Sequence, residues 1–147
     1  MELLQKRKSP NFDHRPVDIS VDMLVFHYTG MQTALLALDR MCDLNSEVSA
    51  HYMVDEDGSI WSLVEEADRA WHAGIAYWRG NTNINARSIG IEIVNPGHQF
   101  GYCVFSGAQM KSVTELALGV LSRNPIPPQN VVGHSDIAPT RKIDPGE

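Results

Sequence analysis

The last fifteen residues of the sequence carry side chains that are suited to binding a metal ion. His134 follows the apolar pair at 131–132, so a short strand is expected to bring it to the edge of a sheet. Asp144 comes ten residues later, in a segment that Pro139 and Pro145 stiffen. A neutral imidazole and a carboxylate are good zinc ligands, and a catalytic zinc ion usually has three protein ligands. This segment therefore supplies two ligands of a candidate zinc site.

The third ligand has to come from another part of the chain, and His27 is the best candidate. It follows the apolar run 23–26 and precedes a Thr-Gly turn, so it too is expected at a strand end. Residues 107 positions apart can meet, because strands that are neighbours in a sheet need not be neighbours in sequence. We therefore predict one catalytic zinc ion bound by His27, His134 and Asp144.

A glutamate stands in the middle of the strand predicted over 87–95. Alternation of side chains places the three isoleucines of this strand on one face and Glu92 on the other, among small residues. A glutamate in a buried strand is costly unless it is paired, hydrogen-bonded or used in chemistry. Beside a catalytic zinc ion, Glu92 would be the natural general base. The alternative is a salt bridge to Arg87 or an edge position that faces solvent.

Aromatic residues, amides and glycines are concentrated over 70–83 without helical or strand periodicity. Loops of this composition commonly line ligand clefts, although Trp71 could instead anchor such a loop to the core. We expect His72 to contact a substrate. His51 lies in another predicted strand, where a role on the substrate side or in the structure is favoured over a role as metal ligand.

The segments before residue 70 alternate between helical and strand patterns. An amphipathic helix is predicted over 34–42, with Leu35, Leu38 and Cys42 in its apolar face. Two runs rich in β-formers, 48–54 and 60–64, are separated by an Asp-Gly pair, which is a strong hairpin signal. These patterns predict a helix that covers a sheet and a hairpin within that sheet.

A second helix is predicted to begin after Ser106, with Gln109 at the spacing of a capping box. Its apolar stripe would start at Met110 and continue to Leu121. Together the patterns predict an α/β fold with a central mixed sheet flanked by helices. The proline-bearing residues 1–20 are expected to form an arm that packs on a catalytic domain over 21–147.

Bulk properties exclude several classes of protein. The chain has 147 residues, enough for one domain with a real core, and its formal net charge is −6. No basic run that would track phosphates is present, so nucleic acid is not an expected partner. No stretch approaches the roughly 20 apolar residues of a transmembrane helix. The sequence carries no signal for a particular oligomeric state.

The compartment is predicted from the N-terminal residues and the cysteines. Residues 1–8 are charged and lack the apolar run of a signal peptide. Cys42 and Cys103 are the two cysteines, and neither belongs to a CxxC motif, which fits a reducing compartment. A cytoplasmic location is expected, or a periplasmic one if a signal peptide has been removed.

Four motifs, in this order, resemble those of the zinc-dependent N-acetylmuramoyl-L-alanine amidases of the type 2 family, whose fold is shared with peptidoglycan recognition proteins. The motifs are Phe26–Gly30, Trp71–Gly74, Ser88–Glu92 and the pair Gly133–Asp136 with Arg141–Gly146. The resemblance runs from about Ser9 to Gly146. It implies a peptidoglycan fragment as substrate and the amide between N-acetylmuramic acid and L-alanine as the bond cleaved. A module of the same fold that binds muropeptides without cutting them is the alternative.

The resemblance also implies roles for single residues. His27, His134 and Asp144 match the zinc ligands, and Glu92 falls on the catalytic glutamate of the branch that recycles cell-wall fragments. Lys142 matches the lysine that stabilises the oxyanion. The residues expected to bind substrate are Trp71, His72, Arg87, Asn95 and His51.

Overall fold

Eight strands and five helices make up the computed structural model of the protein, which describes residues 4–147. The strands are β1 (Leu4–Lys6), β2 (Phe12–His14), β3 (Met23–Tyr28), β4 (Tyr52–Val54), β5 (Ile60–Ser62), β6 (Asp68–Ala70), β7 (Ser88–Ile93) and β8 (Val131–Gly133). The helices are α1 (Ala34–Met41), α2 (Ile84–Arg87), α3 (Gly97–Phe100), α4 (Gly107–Arg123) and α5 (His134–Ile137), with 3₁₀ turns at Leu44–Ser46 and Pro128–Asn130.

Six of these strands form the main sheet in the order β1-β5-β4-β7-β3-β8, and β2 pairs with β6 in a separate ribbon. Strand β3 is parallel to its neighbours β7 and β8, whereas β4 and β5 are antiparallel to each other. The predicted mixed sheet with flanking helices is therefore confirmed. The carboxyl ends of β3, β7 and β8 meet at one edge, which is where parallel sheets present their functional side chains.

Register within the sheet brings the candidate site residues together. His27 on β3 lies directly opposite Glu92 on β7. On the other side of β3, Phe26 lies opposite Gly133, so that His134 follows immediately beyond the end of β8. Alternation then places His27 and Glu92 on the same face of the sheet.

The opposite face of the sheet carries the main hydrophobic core. The isoleucines of β7 are buried there against helix α4, as the alternation predicts; the residues that meet are Ile89, Ile91, Ile93, Val113, Leu116 and Val120. The side-chain amide of Gln109 donates to the carbonyls of Val54 and Val94 at 3.2 and 2.8 Å. These two bonds fix α4 across β4 and the end of β7.

The start of α4 agrees with the predicted N-cap but not with the full capping box. Ser106 Oγ accepts a hydrogen bond from Gln109 N at 3.1 Å. The Gln109 side chain does not return to Ser106, because its amide is bound to the strands. The apolar stripe begins at Val113 rather than at Met110, which is 41% exposed. Met110 lies about 100° around the helix from Gln109, which itself faces the sheet.

Helix α1 is confirmed with a corrected apolar face. Thr33 caps it by accepting from Leu36 N at 3.1 Å. The buried residues are Ala37, Leu38 and Met41, whereas Leu35 is 62% exposed, so its predicted place in the core was wrong. Positions 34, 37, 38 and 41 define the buried stripe, and residue 35 lies outside it. Cys42 packs at the end of this stripe, as predicted.

The predicted hairpin is confirmed as β4 and β5, and Asp55 N donates to Ser59 O at 2.8 Å across its turn. Gly58 has a φ of +90° in this turn, a conformation that an L side chain rarely adopts. Strand β4 begins at residue 52 rather than 48, because the preceding backbone bonds elsewhere. Ser49 N, for example, donates to Trp71 O, in the loop after β6, at 2.9 Å.

Residues 4–20 of the predicted arm contribute strands to both sheets. Strand β1 pairs in parallel with β5 at the edge of the main sheet, and β2 pairs with β6. Asn11 lies buried between them, where its amide donates to Asp43 O at 2.8 Å and to Val48 O at 2.9 Å. The first three residues of the predicted arm lie outside the described residues. Within residues 4–147, no helix has the length and apolarity needed to cross a membrane.

Candidate metal centre

His27, His134 and Asp144 converge at the carboxyl edge of the main sheet. All three are buried, and one donor atom from each lies within 4.8 Å of the others. His27 Nδ1 is 3.0 Å from His134 Nδ1 and 3.1 Å from Asp144 Oδ2. Among residues 4–147, this is the one group of three His, Cys, Asp or Glu residues gathered so closely. Two imidazole nitrogens and one carboxylate oxygen at this spacing can hold a metal ion.

The chain segment between His134 and Asp144 folds back because its backbone is tied to α5. Ser135 N donates to Asp144 O at 2.9 Å. Gly133 allows this close return, since a Cβ there would lie 2.7 Å from Pro145 Cδ. The two prolines and the glycine of the terminal motif thus explain how an aspartate ten positions beyond His134 reaches the same site.

Electrostatics in the cluster favour an ionised aspartate and a neutral His27. Burial alone would raise the pKa of Asp144, but its close contacts with the imidazoles of His134 and His27 outweigh burial and hold the pKa below its ordinary value. Burial lowers the pKa of His27, and the contact with the Asp144 carboxylate opposes that shift only in part. Neutral imidazoles and an ionised carboxylate are the forms that bind metals.

Both histidines of the cluster are held through their second ring nitrogen. His134 Nε2 lies 2.8 Å from the carbonyl oxygen of Ala73, which only accepts hydrogen bonds. His27 Nε2 lies 3.0 Å from His72 Nδ1. Such partners orient metal ligands and fix which nitrogen carries the proton.

Glu92 faces the same cavity as the cluster and has an unusual environment. Its Oε2 is buried and receives no hydrogen bond from residues 4–147, although the residue as a whole keeps some exposure to the cavity. Burial raises the pKa of Glu92 well above its ordinary value, and the nearby Asp144 carboxylate raises it further. The alternative of a salt bridge to Arg87 is wrong, because Arg87 pairs with Asp22. A buried, unpartnered carboxylate with a raised pKa is typical of a proton-transferring residue.

The cavity that contains these residues has a volume of about 490 Å³. Its walls come from the ends of β3 and β7, from α1, from the loop after β6 and from the terminal segment. Lys142 lines it on the terminal side and Arg40 on the α1 side. Trp71 and His72, for which the sequence predicts substrate contact, also line it.

Three residues predicted to bind substrate lie outside this cavity. His51 is fully buried, where it accepts from Gly90 N at 3.0 Å and lies 2.9 Å from Asp68 O. The Arg87 guanidinium is occupied by Asp22. Asn95 holds its own loop, since it donates to Cys103 O at 2.8 Å and accepts from Gly97 N at 3.0 Å. All three are placed by internal hydrogen bonds that local sequence does not reveal.

Sequence reasoning also missed residues that support the site. Arg141 donates to the carbonyls of Ala73 and Ile75 at 2.8 Å each and so fixes the loop that holds His134. Ser88 and Gly90 lie beneath the His72 ring. The sequence did contain an indication of Ser88 and Gly90, because side-chain alternation places both on the same face of β7 as Glu92.

Comparison with known proteins agrees with this geometry. Residues 17–147 match the family described as N-acetylmuramoyl-L-alanine amidase. The chain is 41% identical over 140 residues to N-acetylmuramoyl-L-alanine amidase AmiD of Escherichia coli, covering 86% of this chain and 49% of that protein. It is 33% identical over 158 residues to 1,6-anhydro-N-acetylmuramyl-L-alanine amidase AmpD of Haemophilus influenzae, covering 95% and 84% of the two chains.

Solved structures give the same result. The crystal structure of a selenomethionine AmpD derivative matches with a TM-score of 0.86 at 29% identity, covering 99% of this chain and 89% of that one. A complex of E. coli AmiD with anhydro-N-acetylmuramic acid-L-Ala-D-γ-Glu-L-Lys matches with a TM-score of 0.78 at 40% identity, covering 86% and 52%.

An α/β fold whose sheet edge carries a buried His-His-Asp group that could hold a metal ion is consistent with an amidase domain. The chain belongs to the N-acetylmuramoyl-L-alanine amidase family. It spans about half the length of AmiD and more than four fifths of AmpD.

Proposed function

We propose that this protein is a zinc-dependent amidase that hydrolyses the bond between N-acetylmuramic acid and L-alanine in peptidoglycan or anhydromuropeptides. The observation that carries the proposal is a single cavity in which the His27, His134 and Asp144 cluster faces the unpartnered carboxylate of Glu92. Family membership supports the same activity, because the AmiD and AmpD relatives are named for it.

The donor set favours zinc among metals. Two imidazoles and one carboxylate leave a fourth position open, which is the composition of a catalytic rather than a structural zinc site. When bound, zinc would polarise the scissile carbonyl and lower the pKa of a water molecule towards roughly 7. His27 and His134 would each offer Nδ1, and Asp144 would offer Oδ2.

Glu92 is the proposed general base. Its raised pKa brings the carboxylate closer to the range in which it can take a proton from water and later give it to the leaving amine. Oε2 is available for this, since it is bound to no other group among residues 4–147. Removal of a positioned general base typically costs about 10² to 10⁴ in rate.

Lys142 is the proposed donor to the oxyanion. It lines the cavity two residues before Asp144, and its positive charge acts on both His27 and Glu92, lowering the pKa of each in part. A preorganised donor of this kind is worth about 10² to 10³ in turnover.

The proposed substrate is a muropeptide. A solved structure of E. coli AmiD contains an anhydromuramoyl tripeptide as substrate, and the cavity here has Trp71 on its wall as an apolar surface beside the polar cluster. An amphipathic ligand, part sugar and part peptide, suits such a wall.

The two cysteines are free, and the cytoplasmic location stays a prediction of the sequence.

A cleavage assay on a defined muropeptide tests the proposal. The purified protein, loaded with zinc, is incubated with an anhydromuramoyl tripeptide, and released peptide is measured by mass spectrometry. We expect cleavage by the wild type and none by Asp144→Ala, which should also lose zinc in native mass spectrometry. Asp39→Ala, an aspartate paired with Arg7 away from the cavity, is the matched control and should keep both.

The outcomes separate the alternatives. Binding of the tripeptide without cleavage would identify a recognition module, and the amidase proposal would then be wrong. Cleavage of an unrelated amide with the muramoyl linkage left intact would identify a hydrolase of different specificity.

A further inference from the structure

We infer that His72 and Ser88 are positioning residues: they set the direction of a hydrogen-bond chain that holds His27 in the tautomer with Nδ1 free for a metal ion. This role differs from the substrate contact that the sequence suggests for His72. It concerns how the metal centre is prepared and can be measured without any substrate.

The chain runs from the metal cluster into the protein through buried groups. His27 Nε2 is 3.0 Å from His72 Nδ1, and His72 Nε2 is 3.0 Å from Ser88 Oγ. Ser88 Oγ is in turn 2.7 Å from the carbonyl oxygen of Ile84. His27, His72 and Ser88 are 1%, 8% and 0% exposed, so water does not compete for these bonds.

The direction of the chain follows from its last member. A carbonyl oxygen has no hydrogen to give, so the hydrogen between Ser88 Oγ and Ile84 O belongs to the serine. Ser88 Oγ then accepts from His72, which therefore carries its proton on Nε2. His72 Nδ1 is left as an acceptor for His27 Nε2–H. His27 Nδ1, which faces His134 and Asp144, keeps its lone pair.

The opposite direction would prevent metal binding. If Ser88 donated to His72 Nε2, the His72 proton would lie on Nδ1 and point at His27. His27 Nε2 would then have to accept, and its own proton would occupy Nδ1. The Ile84 carbonyl therefore selects, through two side chains, the tautomer of His27 that is competent for metal.

The sheet is shaped to hold the His72 ring in this chain. A Cβ added at Gly90 would lie 2.6 Å from His72 Cγ, so the absence of a side chain at this position of β7 makes room for the ring. Both ring nitrogens of His72 are bound within the protein. Neither is left to bind a substrate, although His72 lines the cavity.

Nitrogen-15 NMR of the zinc-loaded wild type tests the tautomers directly. We expect the proton on Nε2 in both His72 and His27. Detection of the proton on Nδ1 of His72 would overturn the inference, whatever the protein does to a muropeptide. Because no substrate is present, a failed amidase proposal would leave this result intact.

Metal affinity gives a second, independent measurement. Competition with a chromophoric chelator should show zinc affinity lowered about 10- to 100-fold in His72→Phe, which removes the acceptor for His27 Nε2–H. Ser88→Ala, one step further from the metal, should lower it by a smaller factor. His98→Phe is the control, because this exposed imidazole contacts Tyr28 rather than a cluster residue, and its affinity should equal the wild type.

Circular dichroism in the presence of a chelator establishes that each variant is folded. A folded His72→Phe protein with zinc affinity within twofold of wild type would show that His72 has no positioning role. A substrate-binding role for His72 would instead raise KM with zinc affinity unchanged, and that pattern too would overturn the inference. If either variant fails to fold, the wild-type NMR result decides.

Discussion

The two faces of strand β7 differ in almost every physical respect, although they share one backbone. Ile89, Ile91 and Ile93 lie on one face and are almost completely buried against α4. Ser88, Gly90 and Glu92 lie on the other, beneath His72 and beside the His27, His134 and Asp144 group. The first face is held by apolar burial, which tolerates changes of detail. The arrangement of the second face depends on single hydrogen-bonding and charged groups, and no neighbouring group can replace one that is removed.

This difference predicts that stability and activity can be separated by changing neighbouring residues. A change on the apolar face removes burial and leaves the cavity untouched. A change on the polar face removes a chemical group and leaves the core intact. Residues 91 and 92 are adjacent in sequence and on opposite faces, so they form a natural pair for this test.

The largest expected effect is on catalysis by Glu92→Gln. The glutamine keeps the shape of the side chain but cannot take a proton from water, so kcat on an anhydromuramoyl tripeptide should fall about 10²- to 10⁴-fold. Zinc content should be unchanged, because Glu92 is not in the ligand cluster. Unfolding by urea should show equal or greater stability, since the raised pKa of Glu92 indicates that burying its charge is unfavourable. Near-normal turnover would exclude Glu92 as the base.

Ile91→Ala should have the reverse profile. Ile91 is fully buried between β3, β4 and α4, and truncation of such a side chain costs about 2 to 5 kcal/mol of unfolding free energy. At 25 °C the molecules that remain folded should keep the wild-type kcat and zinc affinity. Chemical denaturation and active-site titration provide the two measurements. A large loss of kcat in the folded fraction would mean that the two faces are coupled.

Part of the candidate site could be predicted from sequence, because several of its residues have a recognisable position relative to a strand. His27 directly follows an apolar run and His134 follows one after a single glycine, and a sheet brings such strand ends to one edge, so the pattern marked both histidines as candidate ligands. Glu92 was marked by alternation, because a carboxylate among isoleucines has to face the other way. The prediction of Asp144 as a ligand rested on the two prolines, which restrict the conformations of the terminal segment.

Residues whose partners are distant in sequence could not be placed in this way. Arg87 was expected near the substrate, but its partner Asp22 lies 65 positions earlier, and no local pattern announces that pair. Asn95 bonds its own loop instead. The short elements β1, β2, β6, α2 and α3 have three or four residues each, too few to show periodicity. Tertiary pairing creates these elements, so sequence patterns alone did not reveal them.

The smallest expected effect concerns the pH dependence of stability, which should differ between the two sides of the sheet. Burial on the polar side lowers the pKa of His51 to about 4 from its ordinary value of 6.5. Between these values the unfolded chain binds a proton that the folded protein does not, so stability falls as pH drops from 6.5 towards 4. From pH 7.5 to pH 5, this residue alone should remove about 2 kcal/mol.

Urea unfolding in a chelator measures this loss without interference from bound metal. His51→Gln can accept from Gly90 N and has no imidazole to protonate, so its stability should change less with pH, by about 2 kcal/mol over the same interval. Ile91→Val, altered on the apolar face, should be less stable at every pH and show the wild-type pH dependence. If His51→Gln followed the wild-type curve, the acid sensitivity would have to come from His27 and His72, whose pKa values burial also lowers.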